Sequence, residues 1–93
     1  MALAPDSPAA YYSWGVALAR NGELTEAEAR LKDANRRGPH WADPLKAWGD
    51  ILVRQGRSKE ALLKYDEALT YAPNWATLKA AREALRRKSE STT

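Results

Sequence analysis

Apolar side chains recur every three or four residues along most of the chain, in segments that end at glycine or proline. In the first segment, from about Pro8 to Asn21, the large apolar residues are Tyr11, Trp14 and Leu18. This spacing places them on one face of an α-helix, with polar residues on the other faces. The serine before this segment can cap such a helix, and the glycine after it can end the helix. The pattern therefore predicts a first amphipathic helix.

Four further helices are predicted in the same way, and each begins where a short polar side chain can accept a hydrogen bond from the amides of the first turn. The second helix carries the sequence of a capping box, in which a glutamate reaches back to the capping residue. We expect the fifth helix to end near Lys88, residues 1–7 to be a flexible leader and residues 89–93 to be a disordered tail. The predicted caps of helices two to five are Thr25 in the box Thr25-Glu26-Ala27-Glu28, Asp43, Ser58 and Asn74.

The chain matches itself, without a gap, when it is displaced by 34 residues. Two helices in a unit of this length are the signature of a helical repeat, in which neighbouring units stack and share a core. We therefore predict an all-α fold of about five helices, built from antiparallel helix-turn-helix repeats stacked as a solenoid. The superimposed pairs include Trp14 with Trp48, Gly15 with Gly49, Leu18 with Leu52, Gly22 with Gly56, Ala27 with Ala61, Ala34 with Ala68, Pro39 with Pro73, and Trp41 with Trp75.

The residues at these positions resemble the tetratricopeptide repeat (TPR) family, whose signature is W-x-x-L-G-x-x-Y, then A-x-x-x-F, then A and P. The indole lies one helical turn from its place in that signature, and aliphatic residues replace some aromatic ones. The resemblance covers residues 8–41 and 42–75 as two repeats, and residues 76–88 resemble the polar-faced helix that caps such arrays. The matching residues are Tyr11, Trp14, Gly15, Leu18, Ala27, Leu31, Ala34 and Pro39 in the first unit, and Leu45, Trp48, Gly49, Leu52, Ala61, Tyr65, Ala68 and Pro73 in the second.

Small residues at matched positions indicate close contacts between helices. A glycine inside a helix costs about 1 kcal/mol relative to alanine. Glycine at the same register in both units, at Gly15 and Gly49, therefore predicts a backbone approach that a side chain would block. The alanines expected to play the same part in the second helices are Ala27, Ala34, Ala61 and Ala68.

The four tryptophans occupy two kinds of position. Trp14 and Trp48 lie on the apolar stripes, so we expect both to pack inside the fold and truncation of either to cost about 3–5 kcal/mol. Trp41 and Trp75 lie at the junctions between units. Two interpretations stay open for them, packing on the next hairpin, which we favour, and exposure beside a groove.

The TPR resemblance implies that the first helices of the repeats line a concave groove that receives an extended peptide or a partner helix. The equivalent arginines Arg20 and Arg54 would attract an acidic partner. Lys46 and Asp50 are four residues apart and fit a salt bridge with each other equally well, whereas Tyr12 and Val16 would form an apolar patch that recognises peptides. The predicted groove residues are Tyr12, Val16, Arg20, Lys46, Asp50, Val53 and Arg54.

The composition limits the kinds of site and partner that we expect. The chain has no cysteine and a single histidine, His40, so no thiolate or zinc site and no cofactor is expected. No apolar run approaches the roughly 20 residues of a membrane helix, and the first residues lack the pattern of a secretory signal. We therefore expect a cytoplasmic protein. The net charge of +3 is concentrated near the C-terminus, but without a recognised module or exposed aromatics beside it we expect no nucleic-acid partner.

These observations predict a non-catalytic scaffold that binds a protein or peptide, because no phosphate-binding loop, nucleophile motif or histidine beside a nucleophile is present. Two alternatives stay open. Two repeats are fewer than the usual three or so that stacking requires, so the exposed ends could form a homodimer, including one that swaps elements. The chain could also be a fragment or a designed array without a ligand of its own.

Overall fold

A computed structural model of the chain describes residues 7–91, which form five α-helices and no strand. The helices of the two hairpins have nearly equal lengths, 13 and 14 residues in each. The predicted all-α fold of five helices is therefore confirmed, while residues 1–6 of the predicted leader and Thr92 and Thr93 lie outside the described residues. The helices are α1 (Pro8–Arg20), α2 (Leu24–Arg37), α3 (Ala42–Arg54), α4 (Ser58–Tyr71) and α5 (Ala76–Ser91).

The helices pack in chain order. Helix α1 packs on α2 and α3 packs on α4, and these two hairpins are joined by contacts between α2 and α3. Helix α5 covers the far side of α4, and α1 also approaches α3. The resulting body measures 47 × 28 × 18 Å along its principal axes. Helix α3 therefore lies in the middle of the stack, whereas α1 and α5 lie at its two ends.

Equivalent turns end α1 and α3. Gly22 and Gly56 have φ angles of 81° and 76°, in the left-handed region that glycine adopts without steric cost. The amide of the residue after each glycine donates back to the helix, from Glu23 to the Leu18 carbonyl at 3.0 Å and from Arg57 to the Leu52 carbonyl at 2.8 Å. This is the hydrogen bonding of a Schellman motif. The predicted glycine stops are confirmed.

The two helical glycines lie where the helices of each hairpin come closest. A Cβ atom on Gly15 would lie 2.9 Å from the Leu31 side chain, and one on Gly49 would lie 2.5 Å from the Tyr65 ring. Both contacts join the first helix of a hairpin to the middle of its second helix. The close approach predicted from the repeated glycine is therefore present in both units.

The core is contributed unevenly by the helices. Helix α3 buries seven residues, whereas α1 buries only Gly15 and α5 buries only Leu78 and Leu85. The alanines predicted for close packing are fully buried, and the two prolines of the signature are exposed in the turns after α2 and α4. The buried side chains of the second helices are Ala27, Leu31, Ala34, Ala61, Tyr65 and Ala68.

The predicted helix starts were only partly right. Ser7 caps α1, and its hydroxyl accepts from the Ala10 amide at 3.1 Å. The capping box at Thr25 is wrong, because α2 begins one residue earlier and the Glu23 carbonyl already accepts from the Ala27 amide at 2.9 Å. Thr25 consequently lies inside the first turn.

The starts of α3 and α4 and the end of α5 also differ from the prediction. The residues at the N-cap positions are Trp41 and Arg57, neither of which caps through its side chain, so Asp43 and Ser58 lie inside the helices. Asp43 in the first turn still interacts favourably with the helix dipole. Helix α5 continues past Lys88 to Ser91, so residues 89–91 of the predicted tail are helical.

Candidate binding surface between helices α1 and α3

A cleft of about 200 Å³ lies between α1 and α3. Its apolar side chains come from both helices and from the buried Leu31 of α2, and two exposed arginines stand at its rim. Of the seven predicted groove residues, the structure brings four to this cleft. The lining consists of Val16, Ala19, Arg20, Leu31, Ala47, Asp50, Ile51 and Arg54.

The two arginines of the cleft are held differently. Arg54 reaches across from α3, and its Nη1 donates to the Ala19 carbonyl in the last turn of α1 at 2.9 Å. Arg20 is exposed, and its guanidinium makes no hydrogen bond or ion pair within residues 7–91. Arg54 therefore joins the two hairpins, whereas the donors of Arg20 are unoccupied within residues 7–91.

Asp50 is occupied by donors from its own unit. Lys46 Nζ donates to Asp50 Oδ2 at 2.8 Å, and the Tyr65 hydroxyl donates to Oδ1 at 2.5 Å. The salt bridge between Lys46 and Asp50, which the sequence left open as an alternative, is present. Asp50 thus lines the cleft while its charge is already balanced.

Tyr65 is expected to make the fold less stable at alkaline pH. Burial, and after it the hydrogen bond to Asp50, raise the pKa of Tyr65 above its ordinary value of 10.0. Since the folded state holds this proton more tightly than the unfolded state, the stabilising contribution is complete below about pH 10 and is lost as the pH rises through the folded-state pKa. Thermal melts followed by circular dichroism should therefore show a melting temperature that falls above about pH 10.

The Tyr65→Phe variant tests that assignment, because it removes the titrating hydroxyl. Its melting temperature at neutral pH should be lower, but the further fall at alkaline pH should be smaller than in the parent. Tyr71→Phe, at an exposed tyrosine of the same helix, serves as the matched control. An equal alkaline fall in the parent and in Tyr65→Phe would contradict the assignment.

Tyr12 is not the free aromatic side chain that the sequence suggested. Its ring lies 5.1 Å from the Trp41 ring, centroid to centroid, and packs against the core. Burial raises the pKa of Tyr12 above its ordinary value, and the nearby carboxylate of Asp43 raises it further. Val53 is likewise half-buried against the core. Neither residue lines the cleft.

Trp41 and Trp75 both pack, which decides between the two interpretations left open above. Trp41 is half-buried in its contact with Tyr12, and Trp75 is half-buried against the core. Neither stands free beside the cleft.

Trp14 and Trp48 differ although they occupy the same register. Trp48 is 9% exposed and belongs to the core, whereas Trp14 is 47% exposed. The expectation that Trp14 packs as Trp48 does is therefore wrong. Trp48 is covered by the preceding helix α2, and no described helix covers Trp14 in that way.

Sequence reasoning missed Glu28, which links three parts of the fold. Its two carboxylate oxygens accept from Trp48 Nε1 and from Arg57 Nη1, both at 3.0 Å. Arg57 also binds Glu60, and this hydrogen bond lowers the pKa of Glu60. Glu28 was assigned to the capping box, and only its place one turn from the helix start, facing the neighbouring unit, could have indicated this role.

A wider depression of about 770 Å³ lies between the start of α4 and the C-terminal half of α5. Most of its charged groups are already paired, Arg57 with Glu28 and Glu60, and Arg86 with Glu83, whereas the exposed Lys59 has no partner within residues 7–91. The remaining polar residues of α5 that line it also have interaction partners. It therefore has one cation without a described partner, Lys59, whereas neither Arg20 nor Arg54 of the smaller cleft is paired with a described carboxylate.

Two further features are absent from residues 7–91. No group of three or more His, Cys, Asp or Glu side chains is arranged to hold a metal ion. None of the described helices combines the length and the apolar character needed to cross a bilayer.

Comparison with known proteins gives no independent identification. No protein-family model matches the chain, and no curated protein matches it either.

Proposed function

We propose that this protein is a non-catalytic interaction module of the TPR type that binds a peptide or a partner helix in the cleft between α1 and α3. The observation that carries the proposal is the cleft itself, with its apolar floor and, at its rim, Arg20, which has no partner among the described residues. The TPR assignment is supported by two 34-residue units whose helical glycines make equivalent contacts.

The size of the cleft favours a peptide over a small molecule. Sites for small molecules usually enclose about 300–1,000 Å³, and this cleft encloses about 200 Å³. It therefore has room for one or two side chains of a peptide whose remaining residues lie along the surface of α1 and α3. Buried Ile51 and Leu31 at its base suit an apolar side chain.

The cleft is already organised. Arg54 is fixed by the Ala19 carbonyl, and Asp50 is fixed by Lys46 and Tyr65. A ligand therefore orders few protein side chains when it binds, which reduces the entropic cost of association.

The charge of the cleft determines which peptides it favours. Asp50 is neutralised by its own neighbours, so the positive charges of Arg20 and Arg54 dominate the cleft. A peptide that combines an acidic residue with an apolar one matches this surface, and a basic peptide would be repelled.

The proposal is tested with peptides selected from a displayed library on the immobilised full chain. Selected peptides should be acidic, and titration of the ¹⁵N-labelled protein should shift the amides of Val16, Arg20 and Ala47. Arg20→Glu should weaken their binding at least about tenfold, or about 1.4 kcal/mol.

Arg36→Glu is the matched control, since it makes the same charge change at an arginine in the last turn of α2 whose side chain is 71% exposed. It should leave binding nearly unchanged, and both variants should melt like the parent. Selected peptides that shift other surfaces, or equal binding by Arg20→Glu and the parent, would contradict the proposal.

A further inference from the structure

The two junctions between successive units share one chemical feature. Trp48 Nε1 donates to the Glu28 carboxylate of α2 at 3.0 Å. Arg82, 34 residues after Trp48 and therefore at the same register of α5, donates through Nε to the Asp66 carboxylate of α4. At both junctions, the side chain at this register position thus donates a hydrogen bond to a carboxylate of the preceding helix.

Trp14 occupies this register position in α1. It has the neighbour from its own hairpin, but within residues 7–91 it has none from a preceding helix. Arg30 of its own hairpin lies over the ring at 4.6 Å, as Lys64 lies over Trp48 at 4.1 Å. Nothing within residues 7–91 takes the place that Glu28 and Lys32 of the preceding helix have around Trp48. The Trp14 indole N–H makes no hydrogen bond in the described part of the chain, and the residue is 47% exposed.

We propose that this surface, the Trp14 edge, binds an amphipathic helix that bears carboxylates and is supplied from outside these 93 residues. The helix would pack on α1 as α2 packs on α3, and one carboxylate would accept from Trp14 Nε1. The Trp14 edge consists of Tyr11, Trp14, Arg30 and Arg37. It is distinct from the cleft between α1 and α3, so the proposal does not depend on the function proposed above.

The charge of the Trp14 edge favours an acidic partner. Arg37 lies over the Tyr11 ring at 4.4 Å, and Arg30 lies over Trp14. Asp33 is the carboxylate paired with both, and it is shared with Arg36 as well. One carboxylate therefore faces three guanidinium groups, and the excess positive charge attracts an acidic helix.

A second copy of this chain does not fit the Trp14 edge. The faces of α2 and α4 that bind a following helix are already covered by α3 and α5. The positions of α5 that match Leu45, Trp48 and Leu52 carry cations, one of which already binds Asp66 of α4, so these positions offer Trp14 no carboxylate. Two Trp14 edges facing each other would oppose like charges. These cations of α5 are Lys79, Arg82 and Arg86.

A suitable probe is a blocked synthetic peptide with the sequence of residues 23–38, which contains α2, and with Arg36→Glu and Arg37→Glu in the peptide. Helix α2 is the natural occupant of the equivalent site on α3, and the two substitutions remove cations that would meet Arg37 of the protein. The peptide is titrated into the full ¹⁵N-labelled chain while the four indole N–H signals are followed. We expect a saturable downfield shift of the Trp14 indole signal, and weaker binding as salt is added.

Variants on both sides make the test specific. Glu28→Lys in the peptide, which replaces the acceptor by a donor, and Arg37→Glu in the protein should each weaken binding at least about tenfold. Trp14→Ala should do the same while the protein still melts cooperatively. Leu63→Ala removes another exposed apolar side chain, 62% exposed on α4, and should leave binding unchanged.

Three results would overturn the proposal. The first is the absence of any shift of the Trp14 indole signal at the highest peptide concentration that stays in solution. The second is a Trp14 indole signal that is already shifted downfield in the free protein and moves back upfield in the Asp6→Asn variant. The side-chain carboxylate of Asp6 would then be the occupant. The third is a Trp14 shift that follows protein concentration without peptide, since a second copy would then occupy the edge.

Discussion

Replacing Trp48 with alanine is expected to lower the free energy of unfolding by about 3–5 kcal/mol. The side chain is 9% exposed and lies in the centre of the core. Its loss would leave a cavity between α2, α3 and α4 and would free the Glu28 carboxylate from one of its two donors. For a domain of this size, 1 kcal/mol shifts the melting temperature by about 4–8 °C, so the variant should melt far below the parent or be unfolded at room temperature.

Trp14→Ala is the matched control, because it makes the same substitution at the same register of the first repeat. With about half of the side chain exposed, its loss should cost about 1–2 kcal/mol. Urea denaturation of both variants, with slopes compared as a check on two-state behaviour, measures the difference. Equal destabilisation would mean that Trp14 is buried in solution.

Gly49→Ala is expected to destabilise the fold by about 2 kcal/mol or more, although alanine is the better helix former. The added methyl group would lie 2.5 and 2.7 Å from two atoms of the Tyr65 ring. That ring cannot easily withdraw, because it is buried and its hydroxyl is bonded to Asp50. Overpacking of this kind costs about 1–3 kcal/mol, and sometimes more, which outweighs the gain of about 1 kcal/mol in helix propensity.

Gly15→Ala makes the same change in the first repeat, where the obstacle differs. Its methyl group would meet the Leu31 side chain at 2.9 Å, and an aliphatic side chain can change rotamer where a bonded ring cannot. The cost should therefore be smaller than at Gly49 and partly offset by propensity. Urea denaturation that finds Gly15→Ala the more damaging of the two would show that the ring of Tyr65 adapts better than we infer.

The fold could be predicted from the sequence because the same pattern of helices and glycine stops occurs twice. Gly22 and Gly56 marked the ends of α1 and α3, and their positive φ angles show why glycine is present there. The helix starts were less predictable, since a backbone carbonyl can begin a helix before the polar side chain that resembles a cap. Thr25 is the example, with Glu23 one position before the helix.

The surface was harder to predict than the core, because it depends on how the hairpins meet. No local pattern indicates that Arg54 reaches the Ala19 carbonyl, or that Tyr12 meets Trp41. The repeat pattern gave no sign that Trp14 is exposed, because Trp14 and Trp48 occupy equivalent positions in sequence. Equivalent positions in sequence are equivalent in burial only when both are covered by a preceding helix, and within residues 7–91 only Trp48 is covered in this way.

The uneven burial along the stack also determines where the fold can open. In a linear array each unit is held by its nearest neighbours, so a helix at the end loses fewer contacts on detachment than one in the middle. Helix α3 has neighbours on both sides and buries seven residues, whereas α1 buries one. Local opening is therefore expected at the two ends of the stack, at α1 and at α5, before it reaches α3, so a partner that covers α1 would slow exchange of amide protons in α1 before any effect reached the centre.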